Sequence, residues 1–304
     1  MSEAKRAAEL QELLREVRRI RVQSSRLVQG ALAGSYRSVF RGTGIEFEEV
    51  REYVEGDDPR SVDWNVTARM GRPFIKKYVD ERQRNLAFLL DLSPRLDATF
   101  SAWSPRQMAA RIGACLMLAA AEHDDRVSFL GYDQQVRRFE PPRKGMGHVM
   151  RIIRDMLELP AGVQESRPAA ALEYATKHLP WHSTVFLLSD FLNDGWQPAL
   201  QDCARKHEVV AVRLLSPELE RLPEGLWRLR HAEKSGRRLV DGNEAHVQQE
   251  YQQRVARWDA ECKHMLQRAG VARMDVPLPK TADPDAVARP ILRFFQRHGG
   301  RGPR

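Results

Sequence analysis

Hydrophobic positions along this chain change period several times, and each change marks an element. Leu10, Leu13, Leu14, Val17 and Ile20 recur at three- and four-residue spacing, which predicts an amphipathic helix over residues 3–28. Gly30 and Gly34 interrupt that pattern. Ile45, Phe47 and the stretch from Val50 to Val54 predict short strands. Asp58 followed by Pro59 has the form of a helix start, with Asp as the cap and Pro at the first helical position. A short helix through Ser61 to Met70 follows, ended by Gly71 and Pro73. FIKKYV then alternates as a strand does.

From Leu86 the pattern becomes strand, helix, strand, helix. LAFLLD is a continuous apolar run, as expected of a strand covered on both faces. Pro105 to His123 is a helix rich in Ala, Met and Leu, and RVSFLGY and VRRFEP are a strand pair. Helices are predicted at Met146 to Leu159 and at Ala169 to His178. TVFLLSDF is a second apolar strand that ends in an aspartate. A helix from Trp196 to Lys206 leads to EVVAVRLL, a third buried strand. RRLVDG reads as a short edge strand, Glu244 to Ala269 as a long helix, VARMDVPL as a last extended segment and Asp285 to Arg297 as a final helix. The alternation predicts an α/β fold: a doubly wound, mostly parallel sheet with helices on both faces, preceded by a small N-terminal subdomain. The expected divisions are an N-terminal helix over 1–34, a charged segment over 35–82, the α/β domain over 83–298 and a mobile tail over 299–304.

Composition narrows the class. The longest apolar run, ACLMLAAA from Ala114, is too short to span a bilayer, and the charged N-terminus has no apolar signal core. The expectation is a soluble cytoplasmic protein. Cys115, Cys203 and Cys262 are far apart, so neither a disulfide frame nor a zinc site is indicated. The net charge of +8 comes mostly from arginine, but acids are interspersed along most of the chain. No long basic run carries interleaved aromatics, so a solvated, Arg-rich surface is expected rather than a nucleic-acid interface. The chain has no Walker-type phosphate loop and no Gly-x-Ser-x-Gly elbow, so neither ATP hydrolysis nor that form of acyl transfer is expected.

Candidate chemistry gathers where the strands end, because ligands of doubly wound sheets bind at the carboxyl ends of strands. Asp91 and Ser93 follow the first apolar strand, Asp190 follows the second, and Ser166 lies in the loop before AAALEYA. Two carboxylates and two hydroxyls are hard oxygen ligands suited to Mg2+. The competing reading is that both aspartates are helix caps or turn residues after strands.

The order of elements resembles a von Willebrand factor type A domain, a Rossmann-like fold. That resemblance implies a metal-ion-dependent adhesion site: Asp-x-Ser-x-Ser after the first strand, Thr in a middle loop, and Asp after the fourth strand. Asp91, Ser93, Ser166 and Asp190 match it, Ser166 in place of the Thr, whereas Arg95 stands where the second Ser belongs. An arginine there opposes a divalent cation by charge. It could pair with Asp91 in the metal's place, or point outward and leave a weakened site.

The segment GTGIEFEEVREYVEGDDPRSVDWNVTARMGRPFIKKYVDE closely resembles the signature of the bacterial domain-of-unknown-function 58 proteins. The matching residues are Gly42, Gly44, Phe47, Arg51, Tyr53, Gly56, Asp57, Asp58, Arg60, Asp63, Trp64, Thr67, Ala68, Arg69 and Glu81. The resemblance covers roughly residues 35 to 240. It implies partnership with a MoxR-type AAA+ ATPase in chaperone-like complex maturation or metal insertion on a client protein. The acids Asp57, Asp58, Asp63 and Glu81 face Arg51, Arg60 and Arg69 in a balanced charged set. That set reads as a structural ion-pair network with Trp64 and Tyr53 buried, as a partner-docking surface, or as the acids of a metal-dependent hydrolase or nuclease. The leading expectation is a non-enzymatic interaction module that presents the Asp91/Ser93/Ser166/Asp190 rim to a protein ligand. Either Mg2+ or the Arg95 guanidinium would meet the ligand's carboxylate, and a scaffold with a dead site is the remaining alternative.

Overall fold

The computed structural model describes residues 46–54, 57, 62–79, 84–98, 101–162, 165–230, 237–283 and 285–298, together with positions 8, 11, 12, 14, 15 and 18. Apart from those six positions, which are helical, the expected N-terminal helix lies outside the described residues, as do the tail, Asp58, Arg60 and Glu81.

Among the described residues, six strands form the central sheet: β3 (Asn85–Asp91), β4 (Arg126–Tyr132), β5 (Val136–Arg143), β6 (Thr184–Ser189), β7 (Glu208–Leu215) and β10 (Ala272–Pro277). Their spatial order is β10-β7-β6-β3-β4-β5. All neighbours run parallel except β5, which returns antiparallel to β4 as the edge strand. Counted in chain order within the sheet, this is the 3-2-1-4-5-6 arrangement of doubly wound folds, and the winding reverses between β3 and β6.

Helices cover both faces, which explains the unbroken apolar runs. Leu86, Phe88 and Leu90 of β3 point to a layer made by α2 (Pro105–Glu122), α3 (Met146–Glu158) and α7 (Asp285–His298). Ala87 and Leu89 point to the opposite layer of α4 (Pro168–His178), α5 (Gln197–Lys206) and α6 (Ala245–Arg268). At the reversal, Phe88 and Phe186 stack across β3 and β6 with ring centroids 4.9 Å apart. α2 starts on a full capping box: Ser104 Oγ accepts from Gln107 N, and the Gln107 side chain accepts from Ser104 N. Among the described residues no helix is long and apolar enough to cross a membrane.

Two expectations are corrected. RRLVDG is not an edge of the main sheet. Among the described residues, β9 (Arg237–Asp241) pairs with β8 (Leu226–Arg230) alone, in a separate antiparallel hairpin. β10 holds the place beside β7 because its buried Met274 and Val276 extend the core, whereas Leu239 of β9 stays exposed. The short helix before β2 (Phe74–Val79) starts later than the Asp58-Pro59 pair suggests. α1 spans Trp64–Met70, and its cap is Asp63, whose Oδ1 accepts from Asn65 N at 2.9 Å and Val66 N at 3.3 Å. A bridge between Val62 and Ile75, and Asp63 N donating to Phe74 O, hold the chain extended up to the cap. Gly71 closes the helix at φ 68°, the left-handed conformation that glycine adopts without strain. β1 (Glu46–Glu52) completes this small unit by pairing antiparallel with β2.

One buried ion cluster fastens the far half of the sheet. Arg213 of β7 has no exposed surface and donates to Asp259 of α6 at 2.7 Å and to Asp275 of β10 at 3.1 Å, beneath the ring of Trp258. Without the guanidinium, Asp259 keeps Lys263 and Asp275 keeps Arg273, and both carboxylates reach water, so the loss is that of the charge-assisted bonds. Arg213→Ala is therefore expected to lower unfolding stability by about 1.5–3 kcal/mol, read from urea denaturation. A loss within surface-mutation range, about 0.5 kcal/mol, would show that the cluster does not fasten the sheet.

Candidate functional site

The winding reversal leaves a crevice at the carboxyl ends of β3 and β6, and three separate chain segments converge there. The first is the end of β3. Asp91 closes the strand, and Ser93 leads into a single 3-10 turn, Pro94–Asp97, that carries Arg95. The second is Ser166, in the loop before α4. The third runs from Ser189 at the end of β6 through Asp190 to Asn193.

Asp91 is wholly buried, and both its oxygens are engaged. Oδ1 accepts from Ser93 N at 2.9 Å, while Oδ2 accepts from Ser166 Oγ at 2.5 Å and Ser189 Oγ at 3.1 Å. Burial first, and the charge of Asp190 second, push its pKa up from 3.8 to about 6, against the lowering effect of the Ser166 and Ser93 bonds. Beside it, Tyr132 ends β4 in register with Asp91. Burial and the Asp91 charge hold the Tyr132 hydroxyl well above its usual range. Ser93 Oγ and Tyr132 OH are both buried with no well-formed hydrogen bond, although each lies near the Asp91–Ser189 group.

Asp190 is satisfied differently. Arg95 grips it side-on, Nε to Oδ2 at 2.5 Å and Nη2 to Oδ1 at 2.8 Å. Arg95 Nη1 also donates to Asn193 Oδ1, and Asn193 Nδ2 donates to the Ser166 carbonyl, so the third segment is tied to the second. The turn that makes this possible is unusual. Phe191 adopts φ 58°, a conformation that costs a bulky residue of order 1–3 kcal/mol. It is held by Phe191 N donating to Ser189 Oγ, by the Trp258 indole donating to the Phe191 carbonyl at 3.0 Å, and by edge-to-face packing on Trp196.

The four rim residues inferred from sequence are thus gathered in one place, and Arg95 is among them. Its partner is corrected. Arg95 neither pairs with Asp91 nor points outward; it pairs with Asp190. The reason is competition, because Asp91 already accepts three bonds inside the sheet edge while both Asp190 oxygens face the turn that carries Arg95. Three contributors were not picked out from sequence as parts of this site: Ser189, Tyr132 and Asn193. Tyr132 could have been found as the residue level with Asp91 on the neighbouring strand, and Ser189 as the one polar position closing TVFLLS. Asn193 carries no comparable signal.

The described acids of the charged signature, Asp57 and Asp63, make local bonds within their own small unit. Asp63 caps α1, and Asp57 Oδ2 accepts from Val54 N at 2.9 Å while its carbonyl accepts from the Tyr53 hydroxyl. The expected burial of Trp64 is wrong: it is 73% exposed, because α1 buries none of its residues. Tyr53 is half-buried and Arg69 exposed. Arg51 lies in β1, and its side chain is outside the described residues.

The doubly wound sheet with one antiparallel edge strand has the α/β topology expected from the resemblance to von Willebrand factor A-like domains. The chain belongs to the family described as "Protein of unknown function DUF58", whose model matches residues 49–261. The uncharacterized protein Rv1480 of Mycobacterium tuberculosis is 29% identical over 201 residues, which is 65% of this chain and 63% of that protein's length. Among solved structures, the conserved hypothetical protein BatB of Bacteroides thetaiotaomicron is 12% identical, covers 72% of this chain and 100% of its own, and has a TM-score of 0.46. An aerotolerance-related membrane protein of Bacteroides fragilis is 12% identical, with 70% and 99% covered and a TM-score of 0.45.

The buried Asp91 makes stability depend on pH. Its folded-state pKa is raised, so the folded state holds the proton more tightly than the unfolded chain does, and ionisation costs stability. The penalty is absent below 3.8, grows between 3.8 and about 6, and is complete above that window. Raising the pH through it is expected to destabilise the wild type relative to Asp91→Asn by up to about 3 kcal/mol, measured from urea midpoints. Parallel pH profiles for the two proteins would contradict the perturbed carboxyl.

Proposed function

We propose that this chain is a cytoplasmic, non-enzymatic protein-interaction module that works with a MoxR-type AAA+ ATPase in chaperone-like maturation or metal insertion on a client. The rim at the sheet reversal is its binding surface. What supports this most is the convergence of Asp91, Ser93, Ser166 and Asp190 from three chain segments, with Arg95 placed among them. A structural core has no need of two neighbouring buried carboxylates, which cost stability where hydrophobic residues would add to it. A recognition site uses such groups, because a fixed pattern of charge and hydroxyls selects a partner that completes it. The ATPase as partner class is what the resemblance to the domain-of-unknown-function 58 proteins implies.

Trp64 offers a second contact. An indole 73% exposed, on a short helix that also carries the exposed Arg69, has the composition of an interface anchor. It suits ATPase docking better than the architectural role expected for the signature. The hydrolase reading is less well supported, because Asp57 and Asp63 are committed to local backbone amides.

Capture of the MoxR-type ATPase from the same genome by the tagged full chain tests both contacts. Asp91→Ala and Asp190→Ala are each expected to reduce capture by about tenfold or more, and Trp64→Ala by a similar factor. Unchanged capture in both aspartate variants removes the rim from the mechanism. No capture by the wild type removes the ATPase.

A further inference from the structure

The rim holds two carboxylates on adjacent parallel strands, and something positive must balance them. Both oxygens of Asp190 are gripped by Arg95, in a pair whose side chains are 8% and 22% exposed respectively. The Asn193 amide joins this guanidinium to the Ser166 segment. A hydrated Mg2+ set between Asp91 and Asp190 would meet a full positive charge already at bonding distance. It would also have to break a side-on pair that is mostly out of water. As arranged, the residues do not fit a resident Mg2+.

The rest of the donor set does fit one. Ser93 Oγ is buried beside Asp91 with no well-formed hydrogen bond, on a residue whose backbone amide is already fixed to Asp91. Ser166 Oγ lies 2.5 Å from the same carboxylate. Hydroxyl and carboxylate oxygens are what Mg2+ and Mn2+ take. We propose that the Arg95 guanidinium takes the place of a divalent cation at this rim, and that removing it uncovers a Mg2+- or Mn2+-binding site on Asp91, Ser93, Ser166 and Asp190. The consequence for recognition is that the module engages its partner without metal and is insensitive to chelators. This consequence rests on the rim being the binding surface, whereas the metal measurement does not.

The test is Mn2+ binding to the isolated full chain, followed by the loss of the free-ion electron paramagnetic resonance signal. The wild type is expected to bind no stoichiometric Mn2+. Arg95→Ser is expected to bind one equivalent that Mg2+ displaces, and to lose it when Asp91→Ala or Ser93→Ala is added. Stoichiometric Mn2+ on the wild type that disappears in Asp91→Ala overturns the proposal, and so does a folded Arg95→Ser protein that binds none. If Arg95→Ser unfolds in metal-free buffer, recovery of its circular dichroism on adding Mg2+ or Mn2+ supports the proposal, and no recovery counts against it. Because no partner protein is present, failure here leaves the ATPase capture result untouched, and the reverse also holds.

Discussion

Two carboxylates placed at the ends of neighbouring parallel strands repel one another, and the organisation of this site follows from how that repulsion is met. Asp91 is surrounded by donors from its own sheet edge: a backbone amide and two serine hydroxyls. Asp190 is met by a guanidinium from the turn that follows Asp91. The two solutions are linked, since Asn193 joins Arg95 to the Ser166 carbonyl, and Ser166 in turn donates to Asp91. Shifting any of the three segments would leave a buried carboxylate short of partners, which costs more than the bonds themselves are worth.

The sheet sets the stage for this arrangement. Helices on both faces require residues such as Leu86 to Leu90 and Val185 to Leu188 to be apolar without alternation, so on β3 and β6 the polar side chains of the site stand at the strand ends. Reversal of the winding between β3 and β6 then opens a crevice at two of those ends. The strained Phe191 fits the same logic. A left-handed bulky residue persists because Trp258 of α6, Trp196 and Ser189 all fix it, and it turns the chain so that Asp190 faces Arg95.

Much of this was legible in the sequence, for physical reasons that also mark where legibility stops. LAFLLD, TVFLLS and EVVAVRLL announce a sheet covered on both faces, and the aspartates that end the first two place the rim. Matching Ser166 to the middle-loop position was also possible, because it stands just before a helix start. What the sequence did not disclose was which oxygen each donor satisfies. Arg95 lies closer in sequence to Asp91 than to Asp190, but the hydroxyl of Ser189 and the amide of Ser93 had already filled Asp91. The start of α1 was misplaced for a related reason. Asp58-Pro59 is a good local cap, yet the Val62–Ile75 bridge, a contact across the β-unit, moves the start to Asp63. Trp64 shows the limit of treating aromatic residues as core: WNVTARM has too few apolar positions for a buried face.

The central claim is that a side-chain cation occupies the position a metal would take. Its most direct measurement is the anomalous difference density, at the manganese edge, of wild-type crystals soaked in MnCl2. No peak is expected between Asp91 and Asp190, with the Arg95 guanidinium still side-on to Asp190. A peak there, within bonding distance of Ser93 Oγ and with Arg95 swung away, would contradict it.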